Sequence, residues 1–131
     1  RIKLRELLLI WLGNFIGSAT VGMIPLWYRP ALCQAARNIV EIRMTNDIWL
    51  NFVLGILCGI LMYAAVTHSE QIIFVILCVA AFILAGANHC VADMFYCWSS
   101  GVPTAFLTLI PTTIGNFVGC NLIPTIKKET S

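Results

Sequence analysis

Charge is scarce in this chain. Asp, Glu, Lys and Arg make up 11% of its 131 residues, where a soluble domain carries about 25%. Hydrophobic residues reach 60%, and the mean hydropathy is +0.89. This is the composition of an integral membrane protein, and no stretch is polar enough to form a separate soluble domain. The net charge is only +2 and no basic run is interleaved with aromatics, which excludes a nucleic-acid partner. No C-x-x-C occurs. The six cysteines (Cys33, Cys58, Cys78, Cys90, Cys97 and Cys120) are dispersed, with neither a disulfide framework nor a metal-ligand cluster. A free cysteine in such a setting behaves as a small buried hydrophobe. Histidine is rarer still, with only His68 and His89 present. Bis-histidine haem ligation needs two such residues at comparable depth, and His68 lies at the end of an apolar stretch. No cofactor, no metal and no enzymatic chemistry are expected.

What the chain does have is long uncharged runs. Four stand out: Leu7–Tyr28, Ile48–Val66, Gln71–Ala92 and Pro103–Ile126. The third continues past Asp93 through Met94–Ser100 and is taken as a span over about 71–98. Each run has roughly the 17–25 residues needed to cross hydrocarbon. Backbone groups in lipid must be satisfied internally, so each is expected to be helical. The prediction is an all-α polytopic membrane bundle, one membrane domain over residues 1–131. The opening Arg1-Ile2-Lys3-Leu4-Arg5 imitates a signal peptide, but the apolar run after it outlasts a typical h-region of about 7–15 residues. The chain begins with Arg1 rather than Met, and it reads as part of a longer gene product. Connections at Thr67–Glu70 and Ser99–Val102 are short, whereas Arg29–Asp47 is longer and polar. Four spans put both termini on one side with Arg1, Lys3, Arg5, Lys127 and Lys128. Arg29, Arg37 and Arg43 fall on the other side. The positive-inside rule then favours cytoplasmic termini.

Of the 14 Lys, Arg, Asp and Glu residues, 13 lie in tails or connections, and Asp93 is the exception. It follows His89 by four residues, which on a continuous helix makes the two neighbours. Intramembrane ionisable groups are costly and usually line a path or cavity. The carboxylate can orient the imidazole or favour its charge, while burial acts against the charge. Their balance decides whether His89 is a proton donor near neutral pH. The plain alternative is a histidine hydrogen-bonded between helices. Gly86, Asn88 and His89 interrupt the third run, so a helix broken near 86–89 and an unbroken helix with a tolerated glycine both remain open. Phe82, two turns before His89, is a candidate apolar constriction.

One internal repeat is visible. Gly13-Asn14-Phe15-Ile16-Gly17 recurs as Gly115-Asn116-Phe117-Val118-Gly119. On antiparallel spans this pattern indicates an inverted-topology repeat. The other reading is two unrelated G-x-x-x-G packing faces.

Together these residues resemble the formate/nitrite transporter family of anion channels. The run from Ala85 to Phe95, with Asn88-His89-Cys90-Val91-Ala92-Asp93-Met94-Phe95 at its heart, resembles the family pattern G-F-E-H-S-I-A-N-M-F. Ile110-Pro111-Thr112-Thr113-Ile114-Gly115-Asn116-Phe117-Val118-Gly119 resembles its final-helix pattern I-P-V-T-I-G-N-x-x-G. Leu54-Gly55-Ile56-Leu57-Cys58-Gly59 resembles R-G-I-L-C-N of the fourth helix, and Trp11-Leu12-Gly13-Asn14-Phe15-Ile16-Gly17 resembles the third. The resemblance implies an aquaporin-like protomer with inverted halves and a homo-pentamer with one pore per protomer. It implies a bacterial cytoplasmic membrane and cytoplasmic termini. It assigns this chain to spans three to six, an incomplete protomer lacking the first broken helix.

By the same resemblance His89 matches the central pore histidine. Asn116 and Asn14 match polar residues near it, and Phe82 matches the aromatic constriction. Arg43 falls where the family carries a vestibule lysine. The sequence departs from the pattern in three places. Asn88 replaces a glutamate, Asp93 stands where many members have Asn, and Leu54 and Gly59 replace Arg and Asn. The expected activity is passage of a small monovalent weak-acid anion (formate, nitrite or hydrosulfide), with or without a proton. His89, Asn116, Asn14, Phe82, Asp93 and Asn88 line the expected path, with Arg43 at the vestibule. The alternatives are a membrane-anchor subunit of a redox enzyme and a non-conducting truncated fragment.

Overall fold

The structure, a computed structural model, describes residues 3–129, with side chains through 126. Arg1 and the side chains of Lys127 and Lys128, which enter the charge count above, lie outside the described residues. Every regular element among them is helical: α1 (Leu4–Gly22), α2 (Ile24–Tyr28), α3 (Pro30–Thr45), α4 (Ile48–Thr67), α5 (Ile72–Leu84), α6 (Cys90–Ser100) and α7 (Leu109–Glu129). A 3-10 segment, Pro103–Thr108, precedes α7. Among the described residues, three segments are long and apolar enough to cross a membrane: Leu4–Tyr28, Ile48–Thr67 and Pro103–Ile126. Helix α5 is apolar but shorter. The chain is an all-α membrane bundle, and it divides into two compact units. One comprises Arg1–Thr45 with Val91–Leu107, the other Asn46–Cys90 with Thr108–Ser131.

In the first unit, α1 is started by Glu6, whose carboxylate accepts from the Lys3 amide at 3.0 Å. The run read as one span from Leu7 to Tyr28 turns at Met23, and Pro25 opens α2. Proline lacks an N–H, and the first turn of a helix is where none is needed. The polar connection from Arg29 to Asp47 is itself mostly helix. Pro30 begins α3, and Cys33, Ala36, Ile39, Val40 and Arg43 are its more buried positions, spaced at the helical period. Helix α6 packs on α1 at Gly22, where an added Cβ would lie 2.9 Å from the Trp98 Cβ. The Ser99 hydroxyl donates to the Gly22 carbonyl at 2.8 Å. Phe15, Trp98 and Phe106 form an aromatic cluster with centroids 4.9–5.7 Å apart.

In the second unit, Asp47 caps α4 by accepting from the Leu50 amide at 2.7 Å. Helices α4 and α7 meet along a seam of four glycines. A Cβ on Gly55 would stand 2.8 Å from the Thr112 carbonyl oxygen and 3.2 Å from the Gly115 Cα. One on Gly119 would stand 3.0 Å from the Gly59 Cα. Small residues at that spacing let two backbones touch, which is how helices gain packing energy where lipid offers no hydrophobic drive. The first copy of the repeat behaves differently: a Cβ on Gly13 or Gly17 meets nothing within 4 Å.

Candidate functional site

The third apolar run does not continue as one helix. Helix α5 ends at Leu84, and Gly86 follows with φ +65°, a left-handed conformation that costs L-residues with a Cβ. The Ala87 N–H donates to the Phe82 carbonyl at 2.9 Å and the Gly86 N–H to the Ile83 carbonyl at 3.1 Å. This is the Schellman arrangement, which closes a helix C-terminus and satisfies its orphan carbonyls. Ala87, Asn88 and His89 are non-helical, and α6 starts at Cys90.

The break is tied to both neighbouring helices of its unit. The Asn88 backbone N–H donates to the Leu54 carbonyl on α4 at 3.3 Å. The Asn88 side chain is fully buried and donates to Asn51 Oδ1 at 2.9 Å and Thr112 Oγ1 at 3.3 Å. Asn116 on α7 donates to the Asn88 carbonyl at 2.7 Å and to the Gly55 carbonyl at 2.9 Å. Its Oδ1 accepts from the Cys90 N–H at 2.9 Å. The His89 ring stacks on Phe82 with centroids 5.7 Å apart and planes 29° apart, and both residues are half-buried. His89, Phe82, Asn88 and Asn116 therefore share one small locus.

Asp93, Arg43 and Asn14 belong to the first unit. Arg43 Nε lies 3.6 Å from Asp93 Oδ1, with the two side chains 12% and 3% exposed. The arginine read as a vestibule charge is thus paired and largely enclosed. Arg37 donates from Nε to the Ser100 carbonyl at 2.8 Å, holding the C-terminal end of α6. Asn14 is exposed, and its amide donates to the Ile10 carbonyl of its own helix at 2.9 Å. The two asparagines of the internal repeat therefore make different bonds.

Residues 2–126 match the formate/nitrite transporter family. The chain belongs to that family. Among its relatives is the formate channel FocA of Haemophilus influenzae, 24% identical over 155 aligned positions. The alignment takes in 88% of this chain and 55% of that protein. The chain thus spans about half the length of the curated relative it matches. No solved structure matches it. Membership and the apolar helices together make this an integral membrane protein of a transporter family.

In this member of the formate/nitrite transporter family, sequence reasoning missed two residues of the locus around Asn88: Asn51 and Thr112. Both are buried partners of Asn88. A signal for Asn51 existed: it is the sole Asn within an otherwise apolar span, and such a group requires a partner. Thr112 carried no such mark, because threonine can satisfy its hydroxyl on its own helix.

Proposed function

We propose that the full-length protein conducts small monovalent weak-acid anions of the formate, nitrite or hydrosulfide class. In this reading it is a homo-pentamer in a bacterial cytoplasmic membrane with cytoplasmic termini. His89 assists the passage and Phe82 narrows it. The observation that carries the reading is the break at Ala85–His89, which leaves a half-buried imidazole stacked on Phe82 between two short helices. Irregular backbone at membrane depth is tolerated where it is buried in protein or lines a cavity. Family membership and the formate channel among the relatives support the substrate class.

The physics of the step is one of desolvation. A bare anion pays heavily to enter an apolar constriction. An imidazole next to that constriction lowers the cost by lending a proton, so that the neutral acid passes Phe82 and returns the proton beyond it. Histidine suits this because modest environmental shifts carry its titration across physiological pH. Arg43 enters this reading as one half of an enclosed pair with Asp93.

The test is anion uptake into proteoliposomes holding the full-length protein, with formate, nitrite and hydrosulfide compared side by side. His89→Phe is expected to remove the pH dependence of uptake at unchanged protein level. Wild-type uptake with wild-type pH dependence in that variant would overturn the role of His89.

A further inference from the structure

We propose that Asn116 is a positioning residue for His89 and not a ligand of the transported anion. The inference rests on the reading that His89 carries the passage, and it assigns the neighbouring amide a different job. A side-chain amide offers two N–H donors and one carbonyl oxygen. In Asn116 both donors are spent, on the Asn88 carbonyl at 2.7 Å and the Gly55 carbonyl at 2.9 Å. The oxygen takes the Cys90 N–H at 2.9 Å. What is left is an oxygen lone pair, which repels an anion. An amide in this state cannot replace an anion's lost hydration.

The two groups it holds on the break are not arbitrary. The Asn88 carbonyl belongs to the peptide unit before His89, and the Cys90 N–H to the one after it. One side chain on α7 therefore grips both peptide groups that flank the histidine, and its remaining donor moors that grip to α4 at Gly55. Fixing both flanking peptides fixes φ and ψ of His89. The ring then keeps only its side-chain torsions, and stacking on Phe82 restricts those as well. The glycine seam makes the arrangement possible, because α7 must lie against α4 for one amide to reach both Gly55 and the break. Asn14 in the other copy of the repeat, bonded to its own helix, does nothing comparable. The clamp belongs to the second copy alone.

The experiment compares wild type, Asn116→Ser and His89→Phe, each as full-length protein in proteoliposomes, by formate uptake against pH and concentration. Asn116→Ser frees the flanking peptides. It is expected to flatten the pH profile and lower maximal uptake by up to about a hundredfold, the scale of loss when a functional group is misplaced by about 1 Å, with KM for formate unchanged. An unchanged pH profile overturns the clamp, and a raised KM on that profile marks Asn116 as an anion ligand. If His89→Phe also keeps wild-type pH dependence, the role of His89 falls and the clamp falls with it. A wild-type profile in Asn116→Ser alone removes only the clamp. Should Asn116→Ser fail to fold, solid-state NMR on the wild-type protein decides by the distance from Asn116 Cγ to the Cys90 nitrogen. About 4 Å, as one hydrogen bond requires, supports the clamp, and a separation well beyond that overturns it.

Discussion

At the scale of single residues, the ion pair between Arg43 and Asp93 sets a clear energetic expectation. Both groups are enclosed, and the 3.6 Å separation is longer than a good charge-assisted hydrogen bond. Burying two charges costs about as much as their attraction returns, whereas removing one partner strands the other. Asp93→Ala is therefore expected to destabilise the protein by about 3 kcal/mol. The double variant Arg43→Met with Asp93→Leu should recover most of that loss. Thermal unfolding in detergent, followed by tryptophan fluorescence, measures both, and a double variant no more stable than the single one would contradict the pairing. A smaller effect belongs to Gly86, whose φ of +65° has open space where a Cβ would go. Gly86→Ala meets no clash, only the backbone penalty of about 1 kcal/mol. A modest fall in melting temperature with the α5 terminus intact is the expected result.

At the scale of elements, what the sequence reveals depends on whether the cause is local. Gly86 marks a helix end through its own backbone freedom, and Asn88-His89 after it supplies polarity that a continuous apolar helix does not need. That signal sits within a few residues. The helix α3 is different: its buried and half-buried positions Cys33, Ala36, Ile39, Val40 and Arg43 form a stripe, but only Ile39 and Val40 are large and apolar, and Gln34, Arg37, Asn38 and Glu41 lie between them. Read alone, the segment is a connection, and packing makes it a helix. The spacing of His89 and Asp93 looked like one helical face, yet α6 begins only at Cys90. The partner of Asp93 is Arg43, 50 residues earlier in the chain, and no local pattern records it. The two G-x-x-x-G copies illustrate the same limit, since identical spacing serves a close seam in α7 and open space in α1. That contrast is testable. Gly115→Leu would drive a side chain into the Phe52 carbonyl and the Gly55 backbone, and should abolish the folded peak on size exclusion. A Cβ at Gly13 meets nothing within 4 Å, so Gly13→Leu should melt within a degree or two of wild type, the small change usual for surface substitutions. Equal tolerance at both positions would mean the α4–α7 seam is absent.

At the scale of the whole molecule, helix lengths bear on the path of the chain across the bilayer. Leu4–Tyr28, Ile48–Thr67 and Pro103–Ile126 each have the length of a crossing. Helix α5, with 13 residues, rises about 20 Å, and α6, with 11, about 16 Å, against a hydrocarbon core of about 30 Å. Neither crosses alone. If they run on in the same sense through the break, they make one interrupted crossing and the total is even. If they double back at Gly86, they form a re-entrant hairpin and the total is odd. Cationic residues favour the first case: Lys3 and Arg5 flank the N-terminal end, while Arg29, Arg37 and Arg43 follow the first crossing, and Lys127 and Lys128 lie near the end of the chain. Fusing alkaline phosphatase or a fluorescent protein to each end in turn reads the outcome in cells. Fluorescence at both ends with no phosphatase activity at either is the expected pattern. Phosphatase activity at one end alone would mean that α5 and α6 return to the side they left, and His89 would then stand at the tip of a loop dipping into the membrane instead of partway along a crossing.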